Sequence, residues 1–100
     1  MKMFADQNYA SARHALYSLA WVQLFKLRDR GNAIRSALWF ERRFAGGEFA
    51  EDVLIIRIIA TCDGGPSEDC RVAAHTYVRR FPSGKYFAEA REITEWDVTR

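Results

Sequence analysis

A chain of 100 residues, 49 % apolar and 28 % charged, can form one globular domain but is too short for two independent cores. Its three Trp, four Tyr and seven Phe supply core-forming side chains, a profile that excludes a disordered segment. The net charge of +2 neither requires nor excludes an anionic partner, and it falls short of the basic bias of a dedicated nucleic-acid binder.

Five helices are expected, over residues 9–29, 32–44, 47–62, 67–81 and 84–97. The opening MKMFADQNYA has no apolar h-region or small-residue cleavage site, so no signal peptide is read, and the chain can equally be one domain of a longer protein. The apolar-rich ALYSLAWVQLF (residues 15–25) is too short to span a bilayer and is flanked by Arg13, His14 and Lys26. Gly31 sits closer to the downstream Phe44 than an even spacing requires. The turn before the second helix is therefore tight, or the first two helices are partly continuous. In the second helix Trp39 and Phe40 are adjacent and point to different sides, so one of them either faces another subunit, another repeat or a ligand, or is only partly buried, as is ordinary for Trp.

The third segment, VLIIRIIATC (residues 53–62), is rich in β-branched residues, and its periodicity alone does not separate a buried strand from a buried helix. Helix is preferred because the matching segment further along, AREITEWDVT, is far more helix-like. In the fourth, Cys70, Ala73, Ala74, Tyr77, Val78 and Phe81 fall at i, i+3, i+4, i+7, i+8 and i+11, an apolar stripe. Ser67 opens this helix as a cap, followed by Glu68 and Asp69 at the positive end of the dipole. Pro82 closes it, and Ser83 is placed to cap the fifth, where Tyr86, Ala90, Ile93 and Trp96 or Asp97 face one way.

Sliding the chain by 37 residues pairs Ala33 with Cys70, Ala37 with Ala74, Phe40 with Tyr77, Arg42 with Arg79, Arg43 with Arg80, Phe44 with Phe81, Gly47 with Gly84 and Phe49 with Tyr86. A period in the thirties with two helices per unit is the mark of an α-solenoid. The expected fold is all-α: a single domain, residues 1–100, of about five antiparallel helices forming 2–2.5 helical hairpins.

The segment RFPSGKYFAEA resembles the tetratricopeptide-like periplasmic modules of Gram-negative bacteria, as in outer-membrane-assembly lipoproteins and Tol–Pal-associated proteins. Phe81, Pro82, Ser83 or Gly84, Tyr86 and Ala90 carry the likeness. Phe44, Gly47 and Phe49 form a degraded copy in which Ala45 stands for the Pro. The resemblance implies a scaffold that binds a peptide or partner protein and has no chemistry of its own, in the bacterial cytoplasm or periplasm. With under three full repeats, a homo-oligomer or further repeats is also expected.

The candidate residues divide between structure and binding. Cys62 and Cys70 flank the turn DGGPSED. They either form a disulfide, which implies an oxidising compartment, or are two small buried thiols. With no CxxC and only His14 and His75, no zinc or other cofactor is expected. Cys70 and His75, five residues apart, diverge around a helix, and no third group orients the His. No phosphate loop is present, and no enzyme is read. Arg42–Arg43 and Arg79–Arg80 each close a helix, where cations complement the dipole. The alternative is a basic edge that holds an acidic peptide, a nucleic acid or an anionic lipid surface.

Arg57, the one charge in residues 53–62, either reaches into a partner groove or pairs with Glu92 or Glu95. The partner-binding set read from the sequence is Tyr17, Trp21, Arg57 and Trp96, around a groove formed by the first, third and fifth helices.

Overall fold

The computed structural model describes the backbone of residues 2–44 and 46–96 and the side chains of residues 12–44 and 46–96. The described residues form five successive helices: α1 (Lys2–Phe25), α2 (Arg30–Arg43), α3 (Ala50–Cys62), α4 (Glu68–Arg80) and α5 (Phe87–Thr94). No strand occurs among the described residues, and VLIIRIIATC is helical. The all-α expectation holds. The boundaries differ in ways that have local causes.

The first helix stops at Phe25, short of residue 29. Lys26 and Leu27 both donate their amide N–H to the Val22 carbonyl, and Arg28 takes a left-handed φ of 54°. That reversal frees Asp29 to cap α2, its carboxylate accepting the Asn32 amide at 3.2 Å. The first two helices are thus separate, and Gly31 lies inside the first turn of α2.

The repeat register is visible in the helix ends. Helix α2 ends at Arg43 and α4 at Arg80, while α3 starts at Ala50 and α5 at Phe87, each pair 37 residues apart. Both even-numbered helices close in the same way. Phe44 and Phe81 each have φ −129° and donate their amide to the carbonyl of Phe40 or Tyr77 at 2.8 Å. The ring pairs Phe40–Phe44 and Tyr77–Phe81 have centroids 5.2 and 5.3 Å apart. In sequence and in local geometry this is a helical-repeat-like protein.

Helix α3 is the central member because its apolar residues occupy two faces. Leu54 and Ile58 pack with Cys70, Ala73, Ala74 and Tyr77 of α4 and with Ala90 and Ile93 of α5. Val53 joins Ala37, Phe40 and Phe44 of α2, while Ile56 and Ala60 meet Ala20, Leu24 and Ala33. Each large side chain buried here contributes about 1.5–3 kcal/mol relative to exposure. Beyond the α3–α4 turn, Cys62 and Cys70 are joined by a disulfide, with Cα atoms 4.9 Å apart. Among the described residues no helix is long and apolar enough to cross a membrane.

The start of α5 corrects a sequence expectation. Ser83 is exposed and caps nothing; Tyr86 is the N-cap residue and makes no side-chain cap of its own. The caps come from other helices. The Glu51 carboxylate of α3 accepts the Lys85 amide at 3.0 Å, and the Tyr77 hydroxyl of α4 accepts the Tyr86 amide at 2.9 Å. Tyr77 in turn donates to Glu51 at 2.6 Å, and Lys85 pairs with Asp52. Burial, and then the bond to Glu51, push the Tyr77 phenol up to about 12.

The preceding turn has an equivalent latch of opposite polarity. Arg13 of α1 donates to the carbonyls of Gly46 and Glu48 at 2.9 and 3.1 Å and lies over the Phe44 ring. The repeated glycine has two causes: Gly47 takes a left-handed φ of 80°, and Gly84 leaves room for the Tyr77 latch. A Cβ on Gly47 would meet the Arg13 guanidinium at 2.9 Å, and one on Gly84 would meet the Tyr77 hydroxyl at 2.2 Å. Residue 97, the expected end of the fifth helix, lies outside the described residues.

Candidate functional site

Beside the core that holds Ile58 of α3 and Ile93 of α5 lies a cleft of about 420 Å³, lined by both helices. Its floor is apolar and aromatic: Ile59, Ile93, Tyr86 and Trp96. Its rim carries Glu89 and Glu92 along α5 and, just past the end of α3, Asp63, whose carboxylate pairs with Arg30 at 3.2 Å. These positions follow from helical spacing. Glu89, Glu92, Ile93 and Trp96 recur at intervals of three and four, so α5 presents one stripe along the opening. Trp96 stands just past the helix end, its amide bonded to the Ile93 carbonyl at 3.0 Å, and it packs against the α3–α4–α5 core. Tyr86 lies close enough to Glu89 for that carboxylate, after burial, to help raise its phenol above the ordinary value.

The disulfide also bears on this cleft, because Cys62 is part of its wall. The bond ties the end of α3 to Cys70, the third residue after the Ser67 cap of α4, and thereby fixes one side of the opening. Ser67 holds α4 by accepting the Cys70 amide at 3.1 Å. The wider depression of about 530 Å³ at the α1–α2 and α3–α4 turns is different in kind. Arg28 and Arg30 alternate there with Asp29 and Asp69, so it presents no single charge sign.

The partner-binding residues read from the sequence scatter. Trp96 is in the cleft. Tyr17 stacks on Phe49, with centroids 4.6 Å apart and planes at 8°, and serves the packing of α1 on the α2–α3 turn. Trp21 is 39 % exposed on α1 beside Phe25, whose ring centroid is 5.1 Å away.

Arg57 pairs with neither Glu92 nor Glu95. It faces the other side of α3, where it donates to Glu41 of α2 at 2.6 Å. Both side chains of that pair are more than four-fifths buried, and Glu41 Oε2 is buried with no donor among the described residues. Burial therefore outweighs the nearby guanidinium and holds the Glu41 carboxyl above its ordinary value.

The Arg pairs do end α2 and α4, and all four side chains are exposed. Arg43 and Arg80 lie over the Phe44 and Phe81 rings at 5.8 and 5.2 Å, a cation–π arrangement that the helix-end geometry produces twice. Cys70 carries no thiol, being disulfide-bonded, and His75 is exposed on α4, so the two are no nucleophile–base pair. Among the described residues no group of three or more His, Cys, Asp or Glu is placed to hold a metal ion. Glu89 was missed in the sequence and Glu92 was read there only as a candidate partner of Arg57; their spacing from Ile93 and Trp96 was the available signal.

Fold and site together define a class: a five-helix, repeat-like all-α protein with an acidic, aromatic-floored cleft between its third and fifth helices. No family model, curated protein or solved structure matches the chain.

Proposed function

We propose that the protein is a non-enzymatic interaction module that takes a basic, amphipathic segment of a partner protein into the α3–α5 cleft. The observation that carries this reading is the pairing of an apolar, aromatic floor with the Glu89 and Glu92 carboxylates along its rim, in a chain whose net charge is positive. A helix or extended peptide with Leu- or Phe-like anchors and flanking Lys or Arg matches both features. Trp96 and Tyr86 offer wide rigid surfaces with polar edges, the type of side chain that concentrates binding energy at interfaces. The rim carboxylates contribute mainly to encounter rate and to rejection of acidic segments, because they are exposed and screened by salt. The tetratricopeptide-like resemblance and the disulfide beside the cleft both support an oxidising setting such as the periplasm.

The test is a library of amphipathic peptides of graded charge, read by fluorescence anisotropy. Selection of basic members, with affinity reduced at least about tenfold by Trp96→Ala and by Glu89→Lys with Glu92→Lys, supports the reading. Selection of acidic peptides, or affinity indifferent to these changes in folded variants, sinks it. A second reading, a nucleic-acid-binding helical domain using Arg42, Arg43, Arg79 and Arg80, draws on the exposure of all four side chains. It requires affinity for DNA or RNA that falls steeply with salt and with Arg42→Glu or Arg79→Glu.

A further inference from the structure

Five of the eight large exposed apolar side chains among the described residues, Leu19, Trp21, Val22, Phe25 and Leu27, lie on α1 or just after it. Two of them belong to an ordered pattern. Ala12, Ala15, Leu19 and Val22 are all exposed and fall at i, i+3, i+7 and i+10. These are successive a and d positions of two heptads, so they form one seam along the outward side of α1. The flanking positions of that seam, Leu16, Ser18, Gln23 and Phe25, carry no charge. Arg13, the nearest cation on α1, is directed away from the seam and bonded to the α2–α3 turn. Beside the seam is a groove of about 270 Å³ between α1 and α2, bordered by Trp39, which is 56 % exposed, and by the exposed Arg43.

The order of sizes along the seam indicates what covers it. In an antiparallel pair of helices each a position faces a d position of the other helix. Reversing α1 against itself about a point near residue 17 sets Ala12 against Val22 and Ala15 against Leu19. Every layer then joins one small and one large side chain. A parallel pairing would set Ala against Ala and Leu against Leu, leaving a void at one end and crowding at the other. The two alanines let the backbones approach closely while the larger residues fill the space beside them. The repeat supplies a parallel within the chain: Ile56 and Ile59 of α3, which the 37-residue register matches to Leu19 and Val22, pack with Ala20 and Leu24 of α1 and Ala33 of α2. A face of this kind is one that the fold covers with a helix wherever it has one to offer.

We propose that two copies of the chain associate through α1 as an antiparallel, two-fold pair, with Ala12–Val22 and Ala15–Leu19 layers and Trp39 at the edge of each groove. Such a contact is isologous, so it closes at two subunits and leaves both α3–α5 clefts free. It is also short. Two heptads and one flanking Trp make an interface at the small end of specific ones, and a dissociation constant of the order of micromolar is expected.

Sedimentation equilibrium over a concentration series tests the association, and cross-linking tests its direction. The wild type is expected to pass from monomer to dimer, and Leu19→Glu to weaken dimerisation at least about tenfold while the helical circular-dichroism signal is retained. A mixture of Ala15→Cys and Leu19→Cys chains is expected to form the mixed disulfide in preference to either homodimer. A strictly monomeric wild type overturns the proposal and leaves the face to a helix of a different chain. A dimer untouched by Leu19→Glu overturns it as well, as does preferential Leu19→Cys homodimer formation.

Discussion

Gly84→Ala isolates the latch that joins α5 to the rest of the stack. Its φ is not in the left-handed region, so alanine is allowed by the backbone and any loss must come from space. An added Cβ stands 2.2 Å from the Tyr77 hydroxyl, 2.9 Å from its Cζ and 2.7 Å from Glu51 Oε2, where ordinary contact begins at 3.4 Å. The hydroxyl would have to retreat by more than about 1 Å, yet Tyr77 is wholly buried and has nowhere to swing. Relief must come from lifting the α4–α5 turn, which breaks the Lys85–Glu51 and Tyr86–Tyr77 bonds and strands their partners.

Those losses cost about 2–4 kcal/mol, against about 0.5–1 kcal/mol gained from the stiffer unfolded chain. For a domain of this size the net effect is a melting temperature lower by about 10–20 °C. Gly31→Ala is the control. Its Cβ would meet only Asp29 Oδ1 at 4.0 Å, and the substitution should leave stability unchanged or raise it by about 0.5 kcal/mol. The assay is urea unfolding of both variants and of the Gly84→Ala, Tyr77→Phe double mutant. Removing the hydroxyl should lower the cost of the alanine, giving a coupling of about 1 kcal/mol. If Gly84→Ala proves as stable as Gly31→Ala, the latch contributes nothing and the reasoning fails.

Two further predictions come from buried polar groups. Arg57→Ala leaves Glu41 charged and unpaired inside the α2–α3 contact and should cost about 2–4 kcal/mol, whereas Arg57→Ala with Glu41→Gln should recover most of that loss in chemical denaturation. The Glu41 carboxyl is raised in the fold, so protonation favours the folded state. Relative to Glu41→Gln, the wild type should therefore gain stability as pH falls through the folded-state value toward the ordinary 4.5, and lose that gain as pH rises again. Reducing the disulfide should destabilise the domain by about 2–3 kcal/mol, the entropy of closing so short a loop, measured as the shift in urea midpoint with and without reductant.

What the sequence revealed was whatever depends on neighbours three or four residues away. The 37-residue register predicted paired helix ends, and the Ala33–Ala37–Phe40 and Cys70–Ala74–Tyr77 stripes are buried as their spacing requires. Ser67 caps where a local signal placed it. Ser83 carried the same local signal and does not cap, because Glu51 and Tyr77 arrive from distant positions and take the amides first.

Arg57 illustrates the same limit. Its burial was legible, but its partner depended on which side of α3 faces α2, and a helix apolar on two faces hides that choice. The cleft escaped notice for a third reason. Nothing local marks Glu89 and Glu92 as a cleft rim until Ile59 and Cys62 of α3 are set opposite them.

The most direct test of the central reading is amide chemical-shift mapping of the whole chain with a basic amphipathic peptide taken from the library. The account predicts shifts that cluster at Ile59, Cys62, Tyr86, Glu89, Ile93 and Trp96 and that vanish with Trp96→Ala. Shifts centred on Arg42 and Arg79, or none at a saturating concentration, would contradict it.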